Sequence, residues 1–354
     1  MSEPRTAQDE LFVQIRGYYV TRALLTLWRI GALDRALDDG HLDVGEFASE
    51  RGHDVELLSA LLNYLTTRGY FVAEQGGRFG LSQRGEASRA YFGYLPMLVG
   101  SYQPMFDGLE DVLTGALSYG DGVVRDGRER ALGVRALEQN LLDSLLEVLD
   151  TLHFTKVVDL GSGSATLLCR ICEPVAERRG IGIDIDATAC REAESYVRKL
   201  GLDDRVSIVL GDMADAADLP VLGAGDVDLV VAMFVMHELL KQRGRAGVVA
   251  CLSGIASALS DGGRLAMVEV SKPARYEATE QVFIPEYELV HDFSNQQLAS
   301  KDEWHAMVAE AGLVVETVAP IGMCRAFCFV ASAARMSDRE PAREPETSAA
   351  SGAG

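Results

Sequence analysis

Apolar side chains in the first seventy residues recur at the spacing of helices. From Asp9 to Ile30 they return every three or four positions, which predicts a helix that stops near Gly31. The same spacing predicts a second helix over Leu42–Phe47 and a third over Val55–Tyr70. This part of the chain is therefore expected to be mainly helical.

The pattern then changes to two short apolar runs, Phe71–Glu74 and Phe79–Leu81, on either side of Gly76 and Gly77. Such runs around a glycine turn predict a two-stranded hairpin. Three helices followed by a hairpin are typical of a winged-helix domain, which we predict over residues 9–100. Its acids outnumber its bases and it has no lysine, so DNA binding is disfavoured. A ligand-sensing regulator remains an alternative of a different class.

Residues 101–152 are expected to form a helical connector, and the pattern beyond them alternates between apolar runs and helical spacing. This alternation predicts an α/β domain over residues 153–332, with a Rossmann-like, doubly wound sheet of seven strands. The predicted strands are 156–160, 181–184, 206–210, 227–233, 264–270, 313–319 and 323–331. Residues 335–354 are rich in Ser, Ala, Glu and Pro and are expected to form a disordered tail.

The first of these strands runs into a glycine-rich turn that contains Asp159, Gly161, Gly163 and Ala165. Glycine allows unusual backbone angles and a close approach by a ligand. A dinucleotide fingerprint would place Gly or Ala at position 166, which is Thr166. An acid before a Gly-x-Gly-x-Ala turn instead resembles motif I of S-adenosylmethionine (SAM) methyltransferases.

Two further elements follow in the order of that family. Asp184 ends the second strand 21 residues after Gly163, close to the roughly 20-residue offset at which an acid meets ribose hydroxyls. Asp212 and Met213 follow the third strand, where methyltransferases contact the adenine. The resemblance implies that Gly161 and Gly163 hold the methionine part of SAM. It also implies that Asp184 holds the ribose, that Asp212 holds the adenine edge, and that Asp159 and Met213 lie in the same site.

The net charge of −20 argues against nucleic acids and anionic membranes as partners. There is no run of 18 apolar residues and no signal peptide, so we expect a cytoplasmic protein that binds a small molecule. A homodimer through the N-terminal helices is also expected, because the N-terminal module resembles the dimerisation and substrate-cap domain of natural-product O-methyltransferases.

His237 follows the fourth strand, and two hypotheses for its chemistry stay open. In the first, His237 is a general base held by Glu269, which lies at the end of the fifth strand, and it deprotonates a hydroxyl group during O-methylation. In the second, His237 and His291 bind a divalent or ferric metal, iron or zinc. The metal would chelate a 2-oxo acid and stabilise its enolate, whose β-carbon then attacks the methyl group.

A second resemblance favours the metal hypothesis. Four segments are similar to bacterial 2-oxo acid C-methyltransferases: residues 15–18, residues 234–240 with His237, residues 244–249, and residues 287–291 with His291. The nearest members are the 2-ketoarginine methyltransferases, and phenylpyruvate methyltransferases are more distant. The resemblance spans roughly residues 10–330. It implies that His237 and His291 are metal ligands and catalytic residues in an enzyme of specialised metabolism.

Overall fold

The computed structural model describes residues 6–214, 225–273, 285–294, 296–322 and 325–334, without the side chains of residues 138–140. The chain divides after Asp143 into two compact units. The predicted tail, residues 335–354, lies outside the described residues.

The first unit is built mainly from short helices and one small sheet. Its regular elements are α1 (Ala7–Arg29), α2 (Ala32–Asp38), β1 (Leu42–Asp43), α3 (Val44–Arg51), α4 (Val55–Thr67), β2 (Phe71–Ala73), β3 (Arg78–Leu81) and α5 (Gln83–Ser88). A 3₁₀ turn (Arg89–Tyr91), a π-helix (Leu95–Gly100), α6 (Gln103–Asp107), α7 (Leu109–Thr114), β4 (Ser118–Tyr119), β5 (Gly122–Val123) and α8 (Gly127–Leu149) follow, and α8 continues across the division. The predicted hairpin is confirmed, because β2 and β3 pair antiparallel.

The predicted second helix was placed wrongly. Leu42 and Asp43 form a strand that pairs with β3, and the helix α3 begins only at Val44. The Asp43 side chain accepts a hydrogen bond from the backbone N–H of Glu46, so Asp43 is the N-cap and takes an extended conformation. A helix that the pattern did not predict, α2, precedes this strand.

The second unit contains the α/β sheet. Its elements are β6 (Lys156–Leu160), α9 (Thr166–Cys172), β7 (Arg179–Asp184), α10 (Ala187–Lys199), β8 (Val206–Leu210), β9 (Val227–Met233), α11 (Met236–Ala258), β10 (Leu259–Lys272), α12 (Pro285–Phe293), β11 (Ala299–Ser300), α13 (Lys301–Glu310), β12 (Leu313–Ile321) and β13 (Ala326–Ala333). Each of the seven predicted strands is confirmed, with ends that differ by a few residues.

Within the described residues the sheet has the order β12-β13-β10-β9-β6-β7-β8, and the two-residue strand β11 adds an eighth member beside β10. The strands from β10 to β8 are parallel, while β13 runs antiparallel to both of its neighbours. The chain order reverses between β6 and β9, and ligands bind at such a point, outside the carboxyl ends of the strands. The central strands are buried on both faces, as a parallel sheet covered by helices requires.

Among the described residues, no helix is both long enough and apolar enough to cross a lipid bilayer.

Candidate functional site

The glycine-rich turn lies directly after β6, at the carboxyl edge of the sheet. Gly161, Gly163 and Ala165 all have positive φ, at 72°, 50° and 58°. A side chain at position 161 would be strained by this angle, and its Cβ would lie 2.4 Å from Cγ1 of Val235. Because Val235 stands two residues before His237, the turn after β6 touches the chain that carries this histidine. The sequence thus predicted the need for glycine, but not the neighbour that enforces it.

Asp184 supports the same turn from the end of β7. Its Oδ2 atom accepts a hydrogen bond of 2.9 Å from the backbone N–H of Gly163, and its Oδ1 atom accepts one from that of Asp186. The backbone N–H of Gly211 donates to the Asp184 carbonyl oxygen, at 2.9 Å. The three sequence elements that resemble a SAM site are therefore brought together at one edge of the sheet.

Asp159 is buried beneath the turn. Burial and, to a lesser extent, the negative charge of Asp184 together raise the pKa of its carboxyl group to about 7. A carboxyl group with such a pKa is only partly ionised at neutral pH, and a cation bound beside it would favour the ionised form. The sulfonium and ammonium groups of SAM are cations of this kind.

Asp212 and Met213 stand at the end of β8. Oδ1 of Asp212 accepts a hydrogen bond of 2.9 Å from the backbone N–H of Ala214, and Oδ2 lies 3.8 Å from a guanidinium nitrogen of Arg243. The Met213 carbonyl oxygen lies 3.2 Å from the thiol of Cys251, which ties this segment to α11. The assignment of Asp212 and Met213 to the adenine stays a prediction.

His237 lies in the first turn of α11, where it is held by a fully buried carboxylate. Oε1 of Glu269 accepts hydrogen bonds from the backbone N–H groups of Met236, at 2.7 Å, and His237, at 3.3 Å. Its Oε2 atom lies 2.9 Å from Nδ1 of His237. The N–H groups of a first helical turn have no partners within the helix, so Glu269 caps α11 and orients the imidazole with a single side chain.

The chain bends sharply just before this histidine. Phe234 has a φ of 56°, in the left-handed region that a bulky side chain rarely adopts, while its N–H donates to the Val268 carbonyl oxygen. Strained residues of this kind concentrate at functional sites. The bend starts α11 immediately at the end of β9, which keeps His237 at the carboxyl edge.

His291, on α12, is the second buried imidazole of this site. Its Nδ1 atom lies 2.6 Å from the Tyr287 carbonyl oxygen, and the Tyr287 ring lies 4.1 Å from its own, centroid to centroid. The His237 and His291 ring centroids are 5.3 Å apart, with an angle of 70° between the ring planes. Two histidines that are 54 positions apart in sequence are thus neighbours in the fold.

The hydrogen bonds decide which nitrogen of each ring has a lone pair to offer. A carbonyl oxygen can only accept, so Nδ1 of His291 carries the proton when the ring is neutral. The carboxylate of Glu269 places the proton of His237 on Nδ1 in the same way. Both rings therefore offer Nε2 as the basic nitrogen.

This pair of side chains fits a metal with two protein ligands. Metal-bound histidines usually donate their other N–H group to a carboxylate or a backbone carbonyl, which is the arrangement of His237 and His291. In the described part of the chain, no three His, Cys, Asp or Glu side chains are grouped to hold a metal.

Sequence reasoning missed two polar groups of this region. Gln296 is buried, and its side-chain amide donates a hydrogen bond of 2.8 Å to Glu238. Ser162 is buried within the glycine turn, where its hydroxyl group has no hydrogen-bond partner among the described residues. Gln296 belongs to no motif, and Ser162 occupies an unspecified position of the Gly-x-Gly-x-Ala turn, so no signal in a single sequence marks them.

Comparison with known sequences places the glycine turn within a methyltransferase domain. A family model described as "Methyltransferase domain" matches residues 153–312. The chain is 30% identical to the 2-ketoarginine methyltransferase of Streptomyces arginensis over 320 residues, which are 87% of this chain and 89% of that protein. It is 27% identical to the indolepyruvate C-methyltransferase of Streptomyces griseus over 248 residues, 66% of this chain and 69% of that protein.

Solved structures show the same fold. The mitomycin 7-O-methyltransferase MmcR gives a TM-score of 0.70 at 20% identity and covers 93% of this chain and 98% of its own. The protein LaPhzM gives a TM-score of 0.70 at 23% identity and covers 93% of this chain and all of its own. These likenesses confirm the predicted fold class, a helical N-terminal part followed by a Rossmann-like sheet. The chain therefore belongs to the class I SAM-dependent methyltransferases, in the family that includes the 2-ketoarginine methyltransferase of Streptomyces arginensis.

Proposed function

We propose that this enzyme transfers the methyl group of SAM to the β-carbon of a 2-oxo acid. The β-carbon gives up a proton, which is released to solvent, and the enolate that remains uses its electron pair to form the new C–C bond as the S–CH₃ bond breaks. S-adenosylhomocysteine and a β-methylated 2-oxo acid are the products.

The observation that carries this proposal is the pair of buried imidazoles beside the glycine turn. A single histidine and a glutamate would suffice for deprotonating a hydroxyl group. O-methylation does not require the second imidazole. Two imidazole nitrogens would instead bind a metal and leave coordination positions for a bidentate 2-oxo acid. The named C-methyltransferases among the relatives support the same choice.

Nε2 of His237 and Nε2 of His291 would hold a divalent or ferric metal, iron or zinc. When bound, such a metal supplies Lewis-acid stabilisation of the enolate. The chain's own part is to present both nitrogens in the basic form, through Glu269 for one ring and the Tyr287 carbonyl for the other. The close contact of the glycine turn with the segment before His237 would keep the methyl donor, SAM, near the methyl acceptor.

We place 2-ketoarginine first among the acceptors, because the 2-ketoarginine methyltransferase matches most of the chain. Indolepyruvate and phenylpyruvate are the aromatic candidates. Proteins with similar folds include a mitomycin 7-O-methyltransferase and methyltransferases of neocarzinostatin and calicheamicin biosynthesis. We therefore assign the enzyme to specialised metabolism, including antibiotic biosynthesis.

A second candidate function is O-methylation of a small hydroxyl compound with His237 as the general base. The hydrogen bond of 2.9 Å between His237 and Glu269 favours it, since this pair could accept a proton unaided. A phenazine O-methyltransferase of Lysobacter antibioticus is also related, at 23% identity over 92% of its length.

One experiment separates the two functions. The enzyme is incubated with labelled SAM and a panel of 2-ketoarginine, indolepyruvate, phenylpyruvate and several phenols, with and without EDTA. We expect label on the β-carbon of a 2-oxo acid, transfer that stops with EDTA, and recovery on adding back iron or zinc. Label on phenol oxygen that EDTA does not affect would refute C-methylation and support the alternative.

We further propose that SAM is bound by Asp159, Gly161, Gly163, Asp184, Asp212 and Met213. A substitution of Asp184 gives the sharpest test. Asp184→Ala is expected to weaken SAM binding by about 1.5–3 kcal/mol, because it removes a charge-assisted hydrogen bond to the ribose. It also removes the acceptor that holds Gly163. Calorimetry of SAM binding measures the change, with Asp203→Ala, an exposed acid at the opposite edge of the sheet, as the control. Equal affinity in the two variants would reject the ribose assignment.

The enzyme is proposed to be a homodimer through α1. The amino-terminal half of this helix exposes large apolar side chains to an extent that is unusual for a monomer surface. They are Leu11, Phe12, Val13, Ile15, Tyr18 and Tyr19, between 39% and 65% exposed. A second copy of α1 is the partner that each chain can always supply.

Phe12→Glu combined with Ile15→Glu is expected to convert the dimer to a monomer, because it places charges in an apolar interface. Light scattering after gel filtration gives the mass. Leu57→Glu, at a still more exposed position on α4, is the control and should stay dimeric. A monomeric wild-type protein, or a dimer that survives the α1 changes, would contradict the proposal.

A further inference from the structure

The chain just after α12 contains two buried polar side chains that no motif accounts for. Ser294 and Gln296 are 2% and 6% exposed. The Ser294 hydroxyl group donates to the Val290 carbonyl oxygen at 2.7 Å, and the backbone N–H of Gln296 donates to the His291 carbonyl oxygen at 2.9 Å. The Val290 carbonyl oxygen also accepts from the backbone N–H of Ser294, at 3.0 Å, so these bonds end the helix with its last carbonyl groups paired. They also fix the position of Gln296 relative to His291.

The same glutamine reaches the other histidine-bearing helix. Its side-chain nitrogen donates a hydrogen bond of 2.8 Å to Oε1 of Glu238, the residue that follows His237 on α11. Its side-chain oxygen lies 3.3 Å from the Ser294 hydroxyl group, which fixes the orientation of the amide. One buried side chain therefore connects the end of α12 with the beginning of α11.

We propose that Gln296 is a positioning residue, which holds His291 at its working distance from His237 by linking the end of α12 to Glu238. This inference rests on the proposed function, in which both imidazoles act on one acceptor. Glu269 already fixes the position of His237. Beside the ion pair between Lys272 on β10 and Glu288 on α12, the connection through Gln296 relates the position of His291 to that of His237.

The physical need for such a link follows from where the two histidines stand. His237 is anchored in the sheet through β9 and β10, whereas His291 lies on a helix of nine residues that the strand order does not fix. A shift of about 1 Å in a catalytic group can cost a hundredfold in rate. The buried side chain of Gln296 is short, makes two hydrogen bonds and does not ionise. It therefore suits the task of holding a distance.

The test compares Gln296→Leu with wild type in two independent measurements. In the resting enzyme, amide hydrogen exchange over residues 285–294 should become about tenfold faster, as expected when one buried hydrogen bond is lost from a locally opening segment. With an acceptor that wild type methylates, kcat should fall about 10–100-fold while the Kd for SAM stays within twofold. Glu238→Gln, which keeps an oxygen able to accept from Gln296, should lose less kcat than Gln296→Leu. Ser253→Ala, which removes a distant hydroxyl group on α11, is the control.

Wild-type exchange over residues 285–294, or a kcat within twofold of wild type, would overturn the positioning role. A uniform rise in exchange across residues 144–354 would also overturn it, because Gln296 would then act on global stability alone. If wild type methylates phenols and no 2-oxo acid, the proposed function fails. Hydrogen exchange over residues 285–294 then still tests whether Gln296 fixes α12. A failure of the proposed function can therefore be distinguished from a failure of the positioning role.

Discussion

His291→Ala is expected to lower methyl transfer by about 10²–10⁴-fold, the range for removing a group that acts directly at the reacting centre. The imidazole is buried, its ring lies 5.3 Å from that of His237, and its Nε2 is the basic nitrogen. Alanine removes the second nitrogen donor of the acceptor site. The affinity for SAM should stay within about threefold, because the cofactor turn and its acids are untouched. Single-turnover transfer of labelled methyl groups and calorimetry of SAM binding give the two values.

The matched control for this variant is His305→Ala. His305 lies on α13, and its side chain is exposed, so losing it should leave turnover unchanged. The decisive comparison is between acceptor classes. If His291→Ala methylates phenols at the wild-type rate, His291 has no catalytic role, and the O-methylation hypothesis with His237 as sole base takes its place.

The sheet was predictable because its signals are local. The run Val227–Met233, for example, is apolar except at Asp228 and follows Gly225 and Asp226, which at this length favours a buried parallel strand. The glycine turn was predictable for the same reason, since Gly161 and Gly163 adopt backbone angles that disfavour other residues. Where a local signal conflicted with a cap, as at Asp43, the prediction failed.

The distances within the site could not be predicted in this way. Nothing in one sequence shows that His237 and His291 are neighbours, because their contact depends on how α12 packs after β10. Only the resemblance to C-methyltransferases selected His291. Gln296 and Ser162 were missed, since a buried amide and a buried hydroxyl look like loop residues until their surroundings are known. Tertiary hydrogen bonds are long-range in sequence, and a pattern of apolar positions does not encode them.

Glu269→Gln is expected to leave the enzyme folded but to lower turnover by about 10²–10⁴-fold. The carboxylate accepts three hydrogen bonds, two from backbone N–H groups of α11 and one from Nδ1 of His237. An amide can offer one oxygen only. If that oxygen keeps the backbone groups, its NH₂ group faces Nδ1, which must then accept and moves the ring proton to Nε2. A serine protease triad with such a tautomer change loses about 10⁴-fold in kcat.

A second substitution at the same position separates orientation from folding. Glu269→Leu should reduce the free energy of unfolding by about 2–4 kcal/mol, because it leaves the N–H groups of Met236 and His237 buried without an acceptor. Urea denaturation measures this loss, and Glu310→Gln, at an exposed ion pair with Arg245, is the control.

Nitrogen NMR of labelled histidine reports the tautomer of His237 in the Glu269→Gln variant directly. If Glu269→Gln retained full turnover with the proton of His237 still on Nδ1, the carboxylate would be a helix cap and no part of the chemistry. A loss of turnover together with a shift of that proton to Nε2 would show that Glu269, the buried acid on β10, contributes to catalysis through Nδ1 of His237.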